Sequence, residues 1–167
     1  LLVALSLLVW GSLLTWSHTD PTLSQMPLGQ LPMGQAPAVA PSNAFGTLGA
    51  GTSDLMLHGL GFVSVFAMLP FCFWGVSMML WQRVSRWRSK LVLWLISIVA
   101  LSGALAAVPT VSAWPLRHGF GGFTGDFVYA LAAQCLNAIN AVHGGTAAGL
   151  FLFAGGTAAL LGSLGAG

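Results

Sequence analysis

The chain has 167 residues, of which 56% are hydrophobic and only 5% charged, with a formal charge of +2. Ordinary soluble domains carry roughly a quarter charged residues, so eight charges cannot solvate the surface of a water-soluble fold of this length. The excess positive charge is too small and too localised for a nucleic-acid surface, which leaves an integral membrane protein.

Leu1–Trp16 is apolar apart from Ser6, Ser12 and Thr15. It covers about 24 Å as a helix, somewhat short of the roughly 30 Å hydrocarbon core, as expected of a first span lacking a few preceding residues. Trp10 and Trp16 suit a membrane interface. A cleaved signal peptide is disfavoured, because the nearest A-x-A, Ala38–Ala40, is followed by Pro41 and lies far from the apolar run.

Residues 17–53 contain no Lys or Arg and five prolines, the composition of an external loop without regular helix. Within them a short repeat, Gln25-Met26-Pro27-Leu28-Gly29 and Gln30-Leu31-Pro32-Met33-Gly34 followed by Gln35-Ala36-Pro37, favours an extended spacer, with partner docking as the alternative. A second span is expected over 54–81, with Ser53 and Asp54 as its start, and Pro70 predicts a kink near 67–71.

The sharpest signal is Arg83, Arg86, Arg88 and Lys90, which place four of the five Lys/Arg residues in eight positions. The flanking runs 55–81 and 91–108 contain no charged residue. A basic knot between two such runs marks a cytoplasmic loop, here 82–90. The third span, 91–108, ends before Pro109, and Gly103 with Ala107 forms a small-residue pair suited to close helix approach.

Loop 109–145 returns outside, with a turn at Trp114-Pro115 and Gly119–Gly122. It contains an amphipathic helix over 126–142, interfacial or re-entrant, opened by Asp126. Val128, Leu131, Cys135, Ile139 and Val142 share one face; Asp126, Gln134, Asn137 and Asn140 share the other. Gly144-Gly145 breaks the chain before a fourth span, 146–164, whose pairs Gly145/Gly149 and Gly155/Ala159 are further packing candidates. The expected fold is therefore an all-α membrane protein of four spans forming one domain, with both termini cytoplasmic.

No catalytic constellation is legible. Asp20, Asp54 and Asp126 all fall at span edges or in loops rather than at the middle of a span, where an ion pathway would need one. His58 and His143 could in principle hold a haem from facing helices, but interface histidines more often bond water or backbone. His18, His58, His118 and His143 lack metal-ligand spacing, so neither cofactor nor metal is expected. There is no phosphate-binding loop. Cys72 and Cys135 read as unpaired apolar fillers.

The order Asp20-Pro21-x-x-Ser24, then Asn43-x-x-Gly46-x-x-Gly49-Ala50 leading to Asp54-Leu55, then Gly121-Gly122-x-x-Gly125-Asp126 and Gly144-Gly145-Thr146-Ala147, resembles the N-terminal membrane domain of FtsK/SpoIIIE-type bacterial DNA translocases. The resemblance implies a non-catalytic inner-membrane anchor for an ATP-driven DNA pump outside this chain. It also implies assembly into an oligomer and contacts with other division proteins, without direct nucleic-acid contact in this segment. The Gln25–Pro37 repeat matches no motif of that family. The rival from another class is an accessory subunit packed against a larger membrane complex, photosynthetic or respiratory; a small channel or transporter fits less well, for want of polar residues at mid-span.

Overall fold

The structure is a computed structural model that describes residues 1–20, 22, 40–81, 86–111, 116, 118–139 and 143–165. These contain seven helices: α1 (Leu2–Leu14), α2 (Gly46–Leu60), α3 (Val63–Ala67), α4 (Leu69–Trp81), α5 (Trp87–Ala106), α6 (Gly122–Ala138) and α7 (Gly144–Leu164). The Gln25–Pro37 repeat, Arg83, the Trp114-Pro115 turn, Asn140 and Val142 lie outside the described residues.

Among the described residues three segments are long and apolar enough to cross a membrane: Val63–Leu80, which joins α3 to α4, then α5 and α7. α1 is a shorter apolar helix of 13 residues, about 20 Å long. α5 and α7 run antiparallel in close contact, with Leu93 near Gly162, Leu101 near Gly156 and Ala107 near Gly149. α1 runs antiparallel to α3–α4, with Val3 against Gly75 and Trp10 against Val65. The buried Trp74 joins the two pairs by donating from Nε1 to the Ser163 carbonyl at 2.9 Å. Residues 1–3, the middle of α4, the start of α5 and the end of α7 thus share one end of the bundle. Large apolar side chains such as Leu7, Leu95, Phe151 and Leu161 point outward. In lipid that exposure carries no penalty, and the inside is filled instead by small residues: Ala50, Ser64, Ala67, Ser97, Ser102 and Ala148 are all buried.

Several sequence expectations are corrected. The helix expected to start at Asp54 starts eight residues earlier, since α2 begins at Gly46 and buries Ser53 and Asp54 in its interior, while the stretch apolar enough to cross a membrane begins only at Val63. The run 54–81 is not one helix. It breaks at Gly61-Phe62 and again at Met68, within the range expected from Pro70. The third span starts at Trp87, so Arg88 and Lys90 lie in the first turn of a helix. Nothing in Trp-Arg-Ser-Lys opposes a helix, and Arg86, in the left-handed conformation at φ 50°, stops it from extending further back. Cations are unfavourable at a helix start by the dipole, so helix electrostatics do not account for this placement.

α6 begins at Gly122, which makes Asp126 its fifth residue rather than its cap. Its packed face also differs from the expected one. Leu131, Cys135 and Ile139 are exposed, while Gly121, Gly122 and Gly125 are buried. The reason is steric: only the glycine face can approach the α5 backbone, and a Cβ at Gly121 or Gly125 would collide with the Ser102 carbonyl. Gly144 and Gly145 do not break the chain but open α7.

Candidate functional site: the junction where the second span is split

At the end of the bundle opposite residues 1–3, three sets of contacts surround the breaks in the second span. The first joins α1 to α2. The buried Asp20 carboxylate accepts from the Ser42 backbone N–H at 2.8 Å, the Ser42 hydroxyl at 2.7 Å and the Asn43 N–H at 3.2 Å. Asn43 Nδ2 then donates to the carbonyls of Ser12 (2.9 Å) and Thr15 (3.3 Å), left free at the end of α1, while its Oδ1 accepts from the Phe45 N–H at 3.0 Å. Ser12 Oγ donates to the Gly49 carbonyl at 2.6 Å. A side chain at Gly49 would occupy the space of Asn43. Burial alone would raise the Asp20 pKa, but the bonds from Ser42 and Asn43 outweigh it and hold the carboxyl below its ordinary value.

The second set is a crossing of backbones. Gly61 (φ +62°) ends α2 and Gly122 (φ +64°) starts α6, each in a conformation that side chains disfavour. The Phe62 N–H donates to the Phe120 carbonyl at 2.8 Å. A Cβ on Gly61 would meet the Phe120 carbonyl and come within 2.6 Å of the Gly122 nitrogen. Ser102 Oγ on α5 donates to the Leu60 carbonyl at 3.3 Å, so three helices meet with almost no side chain between them.

The third set satisfies the carbonyls of α3. Pro70 has no N–H, so the Phe66 carbonyl lacks its normal helical donor. Around it, Trp10 Nε1 of α1 donates to the Val65 carbonyl at 2.7 Å and Trp94 Nε1 of α5 to the Ala67 carbonyl at 2.8 Å. Ser6 Oγ approaches the Met68 carbonyl at 3.4 Å. A broken helix at membrane depth is tolerated only where other groups take over its backbone bonds, and two tryptophans from different helices do so here. Phe71 stacks edge-on against Trp94 and Trp74, at 4.8 and 5.3 Å between centroids, which fixes the Trp94 ring.

The ionisable groups predicted at span edges gather near this junction as two pairs. His58 Nδ1 lies 3.2 Å from Asp54 Oδ1 and 3.0 Å from the Asp54 carbonyl, one turn apart on α2. His118 Nδ1 lies 3.1 Å from Asp126 Oδ2. Both carboxylates therefore face imidazoles rather than helix starts. His143 precedes α7 as its flanking residue. Among the described residues no three His, Cys or acidic groups come together, and Cys72 and Cys135 are free. The arrangement orders backbone and holds helices.

The small residues expected to pack divide unevenly. A Cβ at Gly103 would sit 2.9 Å from both Val128 and Leu152, one at Gly145 2.8 Å from the Tyr129 hydroxyl, and one at Gly149 2.7 Å from the Ala107 methyl. Ala159 is buried. Gly155 is a correction: nothing lies within 4 Å of its Cβ position, and its neighbour Gly156 instead takes the contact with Leu101. Sequence reasoning also missed Asn43, Ser12, Trp10 and Trp94 as bonding residues. For Ser12, Trp10 and Trp94, a lone polar group inside an apolar run is the signal that could have found them.

The chain matches the family model described as the 4TM region of DNA translocase FtsK/SpoIIIE over residues 1–164. It is similar to proteins named DNA translocase FtsK from Agrobacterium fabrum (28% identical, 87% of this chain and 16% of the relative) and Bradyrhizobium diazoefficiens (31%, 92% and 17%). The corresponding protein of Rhizobium meliloti is 32% identical over 76% of this chain and 13% of its own length. The chain thus spans about a sixth of the length of these relatives. No solved structure matches it.

Proposed function

We propose that this chain, which belongs to the FtsK/SpoIIIE 4TM-region family, is the membrane anchor and assembly domain of a cell-division DNA translocase. The observation that carries the reading is the family match over residues 1–164 in a chain about one sixth as long as its relatives. That match makes it a multi-span segment of the inner membrane in contact with lipid, the non-catalytic part of its family. The ATP-driven motor that moves DNA belongs, on this reading, to the remaining length, and this segment supplies attachment and brings protomers together.

The orientation we propose puts Arg83, Arg86, Arg88 and Lys90 in the cytoplasm together with both termini. The split junction and the Asp20–Asn43 contacts then face outward, where other division proteins would be met. The helix packing of Gly103, Ala107, Gly145, Gly149 and Ala159 is assigned to holding each bundle together, and the outward apolar faces to lipid and neighbouring copies.

Fractionation of the full-length translocase with and without residues 1–164 tests the anchor. Loss of the segment is expected to move the protein from the membrane pellet to the supernatant, and retention in the pellet would overturn the reading. A topology reporter at Ser85 is expected to read cytoplasmic, and one at Ser42 external; the opposite result would overturn the orientation.

A further inference from the structure

The chain has three acidic residues, and Asp20, Asp54 and Asp126 all lie at the end of the bundle that holds the split junction. Arg86, Arg88 and Lys90 lie at the other end, where α5 starts. Charge is thus segregated along the bundle, and among the described residues these cations have no carboxylate beside them. The helix does not compensate them either, because its start repels positive charge. A fixed counter-charge for them comes from outside the bundle.

The three cations do not share one face. Arg88 is the second residue of α5, and Val92, Leu95, Ile96 and Val99 follow it at the spacing of one helix side. All four are exposed, so a strip of bare apolar surface runs from Arg88 along the crossing helix. Lys90 falls on the opposite side with Trp94 and Ser97, which face the bundle: Trp94 donates to the Ala67 carbonyl and Ser97 is buried. Arg86 lies one turn before Lys90, its carbonyl accepting from the Lys90 N–H at 3.1 Å. The Arg88 guanidinium lies over the exposed Trp87 ring, 5.5 Å from its centroid. Tryptophan at the end of a span sits at headgroup level, and a stacked guanidinium keeps its N–H fork available for phosphate oxygens.

A cation followed by an apolar strip on one helix face matches a molecule with a negative head and a long apolar tail. A nucleic acid or an acidic peptide would meet Arg88 but has nothing to lay along Val92–Val99. A zwitterionic lipid fits the strip, but its ammonium offsets the phosphate charge. We infer that the outward face of α5 is a site for an anionic phospholipid, its phosphate on Arg88 beside Trp87 and an acyl chain along Val92, Leu95 and Val99. This needs α5 to cross the bilayer, but neither the orientation nor the anchor role proposed above.

The site can be probed with the full-length translocase in phosphatidylethanolamine vesicles containing a trace of photolabel, either phosphatidylglycerol or phosphatidylcholine with the same diazirine near the top of one acyl chain. The phosphatidylglycerol probe is expected to label Val92 and Leu95 about fivefold more than the phosphatidylcholine probe, the ratio for one cation worth about 1 kcal/mol at a charged lipid surface. Leu161, exposed on α7 at the same end of the bundle, should be labelled equally by both. Arg88→Gln should remove the preference on α5, whereas Lys90→Gln should change it less than about twofold. Where Arg88→Gln does not insert, raising the salt from about 0.1 to about 1 M shortens the screening length from about 10 to about 3 Å and should erase most of the preference in the unmodified protein.

Equal labelling of α5 by the two probes would mean annular lipid only and would overturn the inference. So would a preference that survives Arg88→Gln or high salt. An equal fall in Lys90→Gln would mark diffuse surface charge in place of a site, with the same consequence. Absence of label on Val92 and Leu95 while Leu161 is labelled would put a protein or nucleic acid on this face instead of lipid. None of these outcomes bears on whether residues 1–164 anchor the motor.

Discussion

Gly155 and Gly156 are adjacent in α7 and identical in chemistry, yet only one of them meets another helix. A Cβ on Gly156 would lie 2.9 Å from Leu101 Cγ and 3.0 Å from the Leu101 nitrogen, whereas one on Gly155 meets nothing within 4 Å. Carbon atoms rest comfortably about 3.5–4.0 Å apart. Gly156→Ala must therefore part α5 and α7 by about half an ångström or more, because the obstructing atoms include backbone. Overpacking of this kind costs about 1–3 kcal/mol, while the change from glycine to alanine in a helix returns about 1 kcal/mol at either position. Taking the difference between the two variants cancels the helix-propensity gain and leaves the steric cost alone, about 1–3 kcal/mol with Gly156→Ala the less stable. Far-UV circular dichroism during unfolding by dodecyl sulfate in mixed micelles measures it. A difference smaller than about 0.5 kcal/mol, the usual scatter of surface substitutions, or a reversed order would refute the packing geometry.

Gly61→Ala should be more severe than either, at about 3 kcal/mol or more. It combines backbone strain of about 1–3 kcal/mol, for a side chain at φ 62° and ψ −141°, with a Cβ driven against the Phe120 carbonyl, and loss of the folded helix signal in detergent would report it. Trp94→Phe keeps an aromatic ring but leaves the Ala67 carbonyl without its donor. The expected cost is about 1–3 kcal/mol, seen as faster amide exchange confined to residues 63–72; unchanged exchange there would exclude the capping role. Asn43→Ala removes three bonds at the α1–α2 contact, about 3 kcal/mol at roughly 1 kcal/mol each, and calorimetry in detergent would detect it. The Asp20 carboxyl is held below its ordinary value in the folded protein, so its contribution is complete above the unfolded carboxylate value near 4. It is lost as the pH falls through the folded value. Exchange protection of Ser42 and Asn43 should thus be flat from pH 8 to about 5 and fall only in stronger acid, a fall that Asp20→Asn abolishes. A step near neutrality would contradict this assignment.

The family resemblance rested on the order and spacing of Asp, Asn and Gly residues around the spans. The amount and order of greasy sequence were enough to establish the membrane class, the apolar runs and the break near Pro70, which follow from quantities that add along a chain: hydropathy over a window, a missing N–H. The start of α2, the choice of Gly156 over Gly155, the glycine face of α6 and the roles of Trp10 and Trp94 are different in kind. A soluble helix announces its buried side by a polar opposite face. In lipid both sides are apolar, as Leu161 outside and Ala159 inside α7 illustrate, and direction is set by which small residues let two backbones approach. That depends on what stands opposite, Leu101 before Gly156 or the Ser102 carbonyl before Gly121 and Gly125, and only the tertiary arrangement brings those partners, more than 15 residues apart, into contact.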